Sequence, residues 1–147
     1  MEKELLPNEV MLGEVARLLD EGREVVMKPK GFSMLPFIRG DIDSVALRKP
    51  EQLKVGDIAL ARFNGKYILH RVIALEGDKV TLMGDGNLSG TEKGSRSEVF
   101  GIVTEIISPE GRHRKPGKGR WWRRLLPVRR YLLKAYRKWN KIVGKPY

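Results

Sequence analysis

The hydrophobic positions near the N-terminus follow the period of an α-helix. They recur at the spacing of a single helical face: Met11, Val15, Leu18 and Leu19. Asn8 is a favourable N-cap residue, and Gly22 is favourable just after a helix C-terminus. The pattern therefore predicts an amphipathic helix that begins at about Asn8 and runs to about Glu21.

Residues 24–107 carry the pattern of short β-strands separated by tight turns. The predicted strands are "EVVMKP", "SVALR", "DIALARF", "KYILHRVIALE", "KVTLM" and "VFGIVTEII". Asn64-Gly65 and Gly77-Asp78 predict turns between consecutive strands, because such residues accept the backbone angles of tight hairpins. The stretch "GDGNLSGTEKGSRSE" is rich in glycine and serine, which predicts a loop. Together these signals predict a mainly β fold, a coiled antiparallel sheet or a partial barrel.

The C-terminal part of the chain differs in composition from the rest. "SPEGRHRKPGKG" has the composition of a linker, and a basic segment with helical periodicity follows it. The apolar positions of that segment, with arginines and lysines between them, are Val128, Leu132, Ala135, Trp139 and Ile142. We therefore predict a domain over residues 1–110, which includes the N-terminal helix, and a basic linker with an amphipathic C-terminal helix over residues 111–147.

The charge distribution separates the same two parts. The formal net charge is +11, yet residues 111–147 hold 14 of the 29 lysines and arginines and none of the 18 acidic residues. The domain is thus mildly acidic and the tail is strongly basic, so an anionic partner would bind the tail.

Composition also bears on cofactors and location. The chain has no cysteine and two histidines, so it offers no disulfide, no thiolate and few zinc ligands. We predict no metal and no organic cofactor. No apolar run reaches the roughly 20 residues of a membrane-spanning helix, and "MEKELLPNEV" is not a secretory signal. We expect a cytoplasmic protein that can lie peripherally at a membrane surface.

Three residues could carry acyl-transfer chemistry: Ser33 in "GFSMLP", His70 in "ILHRV" and Asp85 in "MGDGN". A serine hydroxyl needs a base within hydrogen-bond reach, and the base works best when a third group orients it. Histidine suits the base role because its side chain titrates near neutrality. Taken alone, each residue also fits an ordinary structural role, as a turn serine, a half-buried strand histidine and a turn aspartate.

The order of these segments resembles a known family. "GFSMLP", "VGDIALAR", "ILHRVIAL", "MGDGN" and "VFGIVTEI" follow the order of the boxes of type I signal peptidases and LexA-type self-cleaving proteases. The resemblance covers about residues 28–107 and implies a mostly β serine protease with Ser33 as the nucleophile. His70 matches the Ser-His branch, found in the endoplasmic-reticulum and spore-former type, in which an aspartate that Asp85 matches supports the histidine.

The resemblance also implies supporting residues. Gly31, Met34 and Pro36 would shape the nucleophile loop, in which the backbone N–H of Ser33 would donate to the oxyanion. Many relatives add a serine hydroxyl two residues before the nucleophile, and this chain has Gly31 there. A second acid is usual after the aspartate box; that place falls on Gly90 and Thr91, with Glu92 just beyond.

The sequence is compatible with several functions and partners. The first is a Ser-His endopeptidase that cleaves a leader or precursor peptide, with the family's preference for small residues before the cut. The second is a degenerate fold that binds partners through the basic aromatic tail. A LexA-type regulator ranks lower because the chain has no Ala-Gly or Cys-Gly pair. Residues 120–143 have several possible contacts. An anionic membrane surface ranks first, packing on the domain ranks second, and nucleic acid ranks lower. The simplest alternative is a helix exposed to solvent with no partner.

Overall fold

An antiparallel sheet and two α-helices make up the part of the chain that the computed structural model describes, residues 9–29, 34, 37–85, 90–117 and 129–144. The strands are β1 (Val25–Met27), β2 (Ser44–Arg48), β3 (Ile58–Phe63), β4 (Lys66–Glu76), β5 (Lys79–Met83), β6 (Glu92–Ser95), β7 (Val99–Ile107) and β8 (His113–Arg114). The helices are α1 (Glu9–Asp20) and α2 (Arg129–Ile142), and a 3-10 turn spans Arg96–Glu98.

The sheet curls on itself into a half-barrel. The strand order is β1-β2-β7-β3-β4-β5-β6, and β8 pairs with β7 outside this path. At the far end of the order, β6 returns onto β3. A Cβ atom at Gly94 would lie 2.3 Å from the ring of Phe63, so only glycine permits this approach. The prediction of a mainly β fold with a coiled antiparallel sheet or partial barrel is confirmed.

Two apolar clusters lie within the curled sheet. The first joins α1 to β1, β2 and β7, and the second lies across β3, β4 and β5 around Phe63. Strand β3 contributes to both clusters because its side chains alternate between the two faces. Ile58 and Leu60 belong to the first cluster, and Ala59 and Ala61 belong to the second.

Most predicted elements are confirmed at nearly their predicted bounds. Helix α1 ends at Asp20, and Gly22 adopts a positive φ of 87° just after it. Strands β2, β4, β5 and β7 coincide with the predicted segments. Asn64 and Gly65 both adopt positive φ, 52° and 79°, as a tight hairpin turn requires. The predicted N-cap, Asn8, lies outside the described residues.

Two segments differ from the prediction. The stretch predicted as a loop, residues 84–98, contains strand β6 and the 3-10 turn. The stretch predicted as a linker contains β8, in which Arg114 pairs with Ile106 and His113 pairs with Ile107 of β7. Both strands are short, and their residue types, Glu-Lys-Gly-Ser in β6 and His-Arg in β8, are not those that favour a strand.

A membrane-spanning helix is not found among the residues described above, because none of their helices is long and apolar enough to cross a bilayer.

Candidate active site

His70 and Glu92 form a hydrogen-bonded pair on the curled sheet. His70 lies in β4 opposite Ala59 of β3, and its side chain is 13% exposed. Its Nδ1 lies 2.8 Å from Oε1 of Glu92. Glu92 begins β6, where it pairs with Leu82 of β5. The pairing of β6 with β5 thus places the carboxylate of Glu92 next to His70.

This pairing fixes the tautomer of a neutral His70. An ionised carboxylate only accepts hydrogen bonds, so the hydrogen between the two residues belongs to Nδ1 of the imidazole. The lone pair of the neutral ring is then on Nε2, which is the atom able to take a proton from a hydroxyl. A histidine oriented in this way by a carboxylate has the arrangement of a general base.

Arg71 forms a second pair, with Asp85, on the other side of β4. Successive strand side chains point to opposite faces, so Arg71 is directed away from His70. Its Nη2 lies 2.6 Å from Oδ2 of Asp85, and its Nε lies 3.1 Å and 3.2 Å from the two carboxylate oxygens. The side chains of Arg71 and Asp85 are 0% and 2% exposed. They form a buried ion pair with fork geometry.

The guanidinium of Arg71 also holds three separate segments of the chain. Its Nη1 donates to the carbonyl oxygen of Gly56 at 2.9 Å and to that of Gly117 at 2.8 Å. Its Cζ lies 4.9 Å from the ring centroid of Phe37, a cation–π contact. Arg71 therefore joins the β2–β3 connection, the start of the basic tail and the turn after the serine box.

The serine box contacts the aspartate box through Met34. Met34 is buried, and its Sδ accepts a hydrogen bond of 3.4 Å from the backbone N–H of Asp85. The residue that follows Ser33 in the sequence is thus packed on Asp85. Ser33, Gly31 and Pro36 lie outside the described residues, so the roles assigned to them stay predictions.

The two carboxylates have different contacts from those that the resemblance implies. It assigns to Asp85 the role of orienting His70. In the structure, Nδ1 of His70 donates to Glu92, and Arg71 donates to both carboxylate oxygens of Asp85. In the sequence, Glu92 lies just beyond the position of the usual second acid. Its pairing opposite Leu82 would identify Glu92 as the partner of His70. The pairing could not be predicted, because the glycine- and serine-rich composition of this segment does not indicate a strand. Sequence reasoning missed Arg71 altogether, although an arginine inside an apolar strand was a signal of a buried partner.

A second buried carboxylate organises the turn that follows the serine box. Asp43 is fully buried; its Oδ2 accepts from the backbone N–H of Arg39 at 2.9 Å, and its Oδ1 accepts from Nη2 of the same arginine at 2.7 Å. The N–H of Asp41 donates to the carbonyl oxygen of Pro29 at 2.7 Å, which joins two residues that flank the serine box in the sequence. Burial alone would raise the pKa of Asp43, but the hydrogen bonds from Arg39 and the charges of Arg39 and Arg114 together lower it.

Asp43→Asn should destabilise the protein by about 1–3 kcal/mol at neutral pH, because the buried ionic hydrogen bonds are lost. A carboxyl group whose pKa is lower in the folded state stabilises above its unfolded pKa, and this contribution is lost as pH falls through the folded pKa. The difference from wild type should therefore shrink below about pH 4. Chemical denaturation at several pH values measures it.

The exposed neighbour Asp41 provides the matched control for this prediction. Asp41 adopts a φ of 66°, which asparagine also tolerates, so Asp41→Asn should change stability by less than about 0.5 kcal/mol. Two results would contradict the stabilising role of the Asp43 carboxylate. One is equal destabilisation by the two substitutions, and the other is a loss of stability in Asp43→Asn that does not change with pH.

Comparison with other proteins leaves the site to be interpreted from its own geometry. No protein-family model matches the chain, and no curated protein is significantly similar to it. Within the described ranges, no group of three or more histidine, aspartate and glutamate side chains is arranged to hold a metal ion. The inference of function therefore depends on the His70–Glu92 pair, the Arg71–Asp85 pair and the boxes of the sequence.

Proposed function

We propose that the protein is a serine endopeptidase that cleaves a leader or precursor peptide by acyl transfer. The observation that carries the proposal is the 2.8 Å hydrogen bond between Nδ1 of His70 and Glu92. A partly buried histidine with an orienting carboxylate is the arrangement that a serine nucleophile requires. The contact of Met34 with Asp85 supports it, because Asp85 pairs with Arg71, the residue next to His70 in β4, and Met34 follows Ser33 in the sequence.

In the proposed reaction, Oγ of Ser33 attacks the peptide carbonyl carbon while Nε2 of His70 accepts its proton. Collapse of the tetrahedral intermediate breaks the C–N bond, and Nε2 returns the proton to the leaving amine. Water then attacks the acyl-enzyme ester while Nε2 accepts its proton. The bond between the carbonyl carbon and Oγ of Ser33 breaks, Nε2 returns the proton to Oγ, and the new carboxyl terminus is released. Glu92 orients His70 and stabilises the imidazolium, and Asp85 with Arg71 supports the surrounding loops.

The substrate class comes from the resemblance to signal peptidases of the Ser-His branch. It implies a peptide with small residues, alanine above all, just before the cut. The hydroxyl that many relatives direct at the oxyanion is absent at Gly31. Backbone N–H groups, with that of Ser33 among them, would supply the oxyanion donors instead.

Peptide libraries with Ala-x-Ala sites, analysed by mass spectrometry, test the proposal with wild type and Ser33→Ala. Ser97→Ala is the matched control, because Ser97 is an exposed serine of the 3-10 turn, hydrogen-bonded to Ser95. We expect wild type and Ser97→Ala to give the same products and Ser33→Ala to give none. Cleavage by Ser33→Ala at the wild-type rate would contradict the assignment of the nucleophile.

The alternative function is a binding module that has lost catalysis and binds through its basic aromatic tail. The absence of a hydroxyl at Gly31 favours it. The His70–Glu92 pair is an argument against it, because a binding module has no chemical need for a tautomer-fixed histidine. Wild type that cleaves no member of the library, with or without lipid vesicles, would favour this alternative over the peptidase.

A further inference from the structure

Helix α2 has an apolar stripe that is exposed to solvent. The predicted apolar positions Leu132, Ala135, Trp139 and Ile142 lie on one side of the helix, and all four are exposed. Trp139 is 60% exposed, Ile142 is 70% exposed and Leu132 is 39% exposed. Val143, just after the helix, is 45% exposed and extends the stripe. Val128, the remaining predicted member, lies outside the described residues.

A different side of α2 is the buried one. Leu133 is 2% exposed and Asn140 is 1% exposed, while Tyr136 is half-buried. Nδ2 of Asn140 has no hydrogen-bond partner in the described part of the chain. Among the residues of α2 whose burial is described, the buried side has one fully buried aliphatic residue, Leu133, whereas Leu132, Trp139 and Ile142 face outwards. Packing of the predicted apolar face on the domain, the second-ranked interpretation of the tail, does not fit these exposures.

The third side of α2 is cationic. At about 100° per residue, the exposed Lys134, Arg137, Lys138 and Lys141 fall together, and Lys138 lies one turn before Ile142. No acidic residue occurs anywhere in residues 111–147. Apolar and basic sides thus border each other on the exposed part of one helix, which is the pattern of helices that lie in a membrane interface.

We propose that α2 binds the surface of an anionic lipid bilayer. Trp139, Ile142 and Leu132 would enter the headgroup region, where tryptophan is favoured, and the basic side would face the lipid phosphates. The aliphatic members of the stripe distinguish this partner from nucleic acid, because base stacking uses aromatic rings and gains nothing from isoleucine or leucine. The charge of the basic side specifies anionic rather than neutral lipid.

The tail is fixed to the domain at its start. The carbonyl oxygen of Gly117 accepts a hydrogen bond from buried Arg71, and the side chain of Arg114 donates to the carbonyl oxygen of Phe37. Both contacts lie beside the candidate active site. A bilayer bound by α2 would thus be connected to the domain through a segment anchored next to that site. The lipid proposal itself does not depend on catalysis, so Ser33→Ala should bind lipid as wild type does.

Sedimentation of the full-length protein with phospholipid vesicles tests the proposal. We expect binding to vesicles of phosphatidylglycerol and phosphatidylcholine in equal parts, and little binding to phosphatidylcholine alone. Trp139→Ala/Ile142→Ala should weaken binding by about tenfold or more, because two apolar side chains no longer enter the interface. Lys134→Gln/Lys138→Gln should weaken it by about 30-fold at low salt, at about 1 kcal/mol for each charge.

Matched substitutions outside the tail serve as controls. Val26→Ala/Val55→Ala removes two exposed apolar side chains of the domain, and Lys66→Gln/Lys79→Gln removes two exposed charges. Both should leave binding within about twofold of wild type. Equal binding to neutral and anionic vesicles, tail variants that bind like these controls, or single-stranded RNA that displaces the protein from the vesicles would each overturn the proposal.

Discussion

Replacing Glu92 by glutamine should lower kcat for peptide cleavage by about 10³–10⁴-fold, with little change in KM. The amide of glutamine can donate to Nδ1, which moves the imidazole hydrogen to Nε2 and removes the lone pair that accepts the serine proton. The contact concerned is the 2.8 Å hydrogen bond between His70 and Glu92. Because the substitution affects the chemical step and not substrate binding, the single-turnover rate should fall as much as kcat. The substrate would be a library peptide that the wild-type protein cleaves.

Glu98→Gln is the control for this prediction. Glu98 lies on the same return segment, is partly buried, and accepts a hydrogen bond of 2.9 Å from the N–H of Ser95. Its substitution should leave kcat within about threefold of wild type, since it does not touch His70. The NMR signal of the His70 Nδ1–H should disappear or move in Glu92→Gln and persist in Glu98→Gln. A Glu92→Gln enzyme with wild-type kcat would give the orienting role to another residue.

The fold could be predicted wherever its signals are local. Alternation and turn pairs predicted β2, β4, β5 and β7, because each strand buries enough apolar surface to determine its own pattern. Strand β6 was not predicted, because it contains Gly94, a residue that is unfavourable in strands. Glycine is needed there because the ring of Phe63, from β3 about 30 residues away in sequence, occupies the space of a side chain. Strand β8 pairs with Ile106 and Ile107 across a short turn, but it consists only of a histidine and an arginine, which are too few and too polar to indicate a strand.

The site could be predicted in its residue types but not in its pairing. The sequence indicates His70 and a nearby acid, but which carboxylate reaches Nδ1 depends on the register of β5 with β6. That register places Glu92 opposite Leu82, while Asp85 forms its ion pair with Arg71. A shift of one residue would turn Glu92 to the other face of the strand. The same dependence on tertiary contacts explains why the exposed side of α2 could not be chosen from helical periodicity alone.

Arg71→Met should destabilise the protein by about 3–5 kcal/mol, because it leaves the Asp85 carboxylate buried and unpaired. The carbonyl oxygens of Gly56 and Gly117 lose a donor in the same variant. Such a loss is a large part of the 5–15 kcal/mol by which domains are ordinarily stable. Urea denaturation measures it. Arg71→Lys retains the positive charge but not the planar guanidinium that contacts both oxygens of Asp85, so it should lower the free energy of unfolding by less than Arg71→Met does.

Two further variants separate the buried ion pair from a general effect of removing an arginine. Arg62 is exposed on β3 and stacks 5.5 Å from the ring centroid of Tyr67, so Arg62→Met should cost less than about 1 kcal/mol. Arg71→Met/Asp85→Asn should be at least as stable as Arg71→Met alone, since the second substitution removes the unpaired charge. If the double variant is instead less stable by the full cost of both changes, Arg71 stabilises the fold through its carbonyl contacts and Phe37, and the ion pair is secondary.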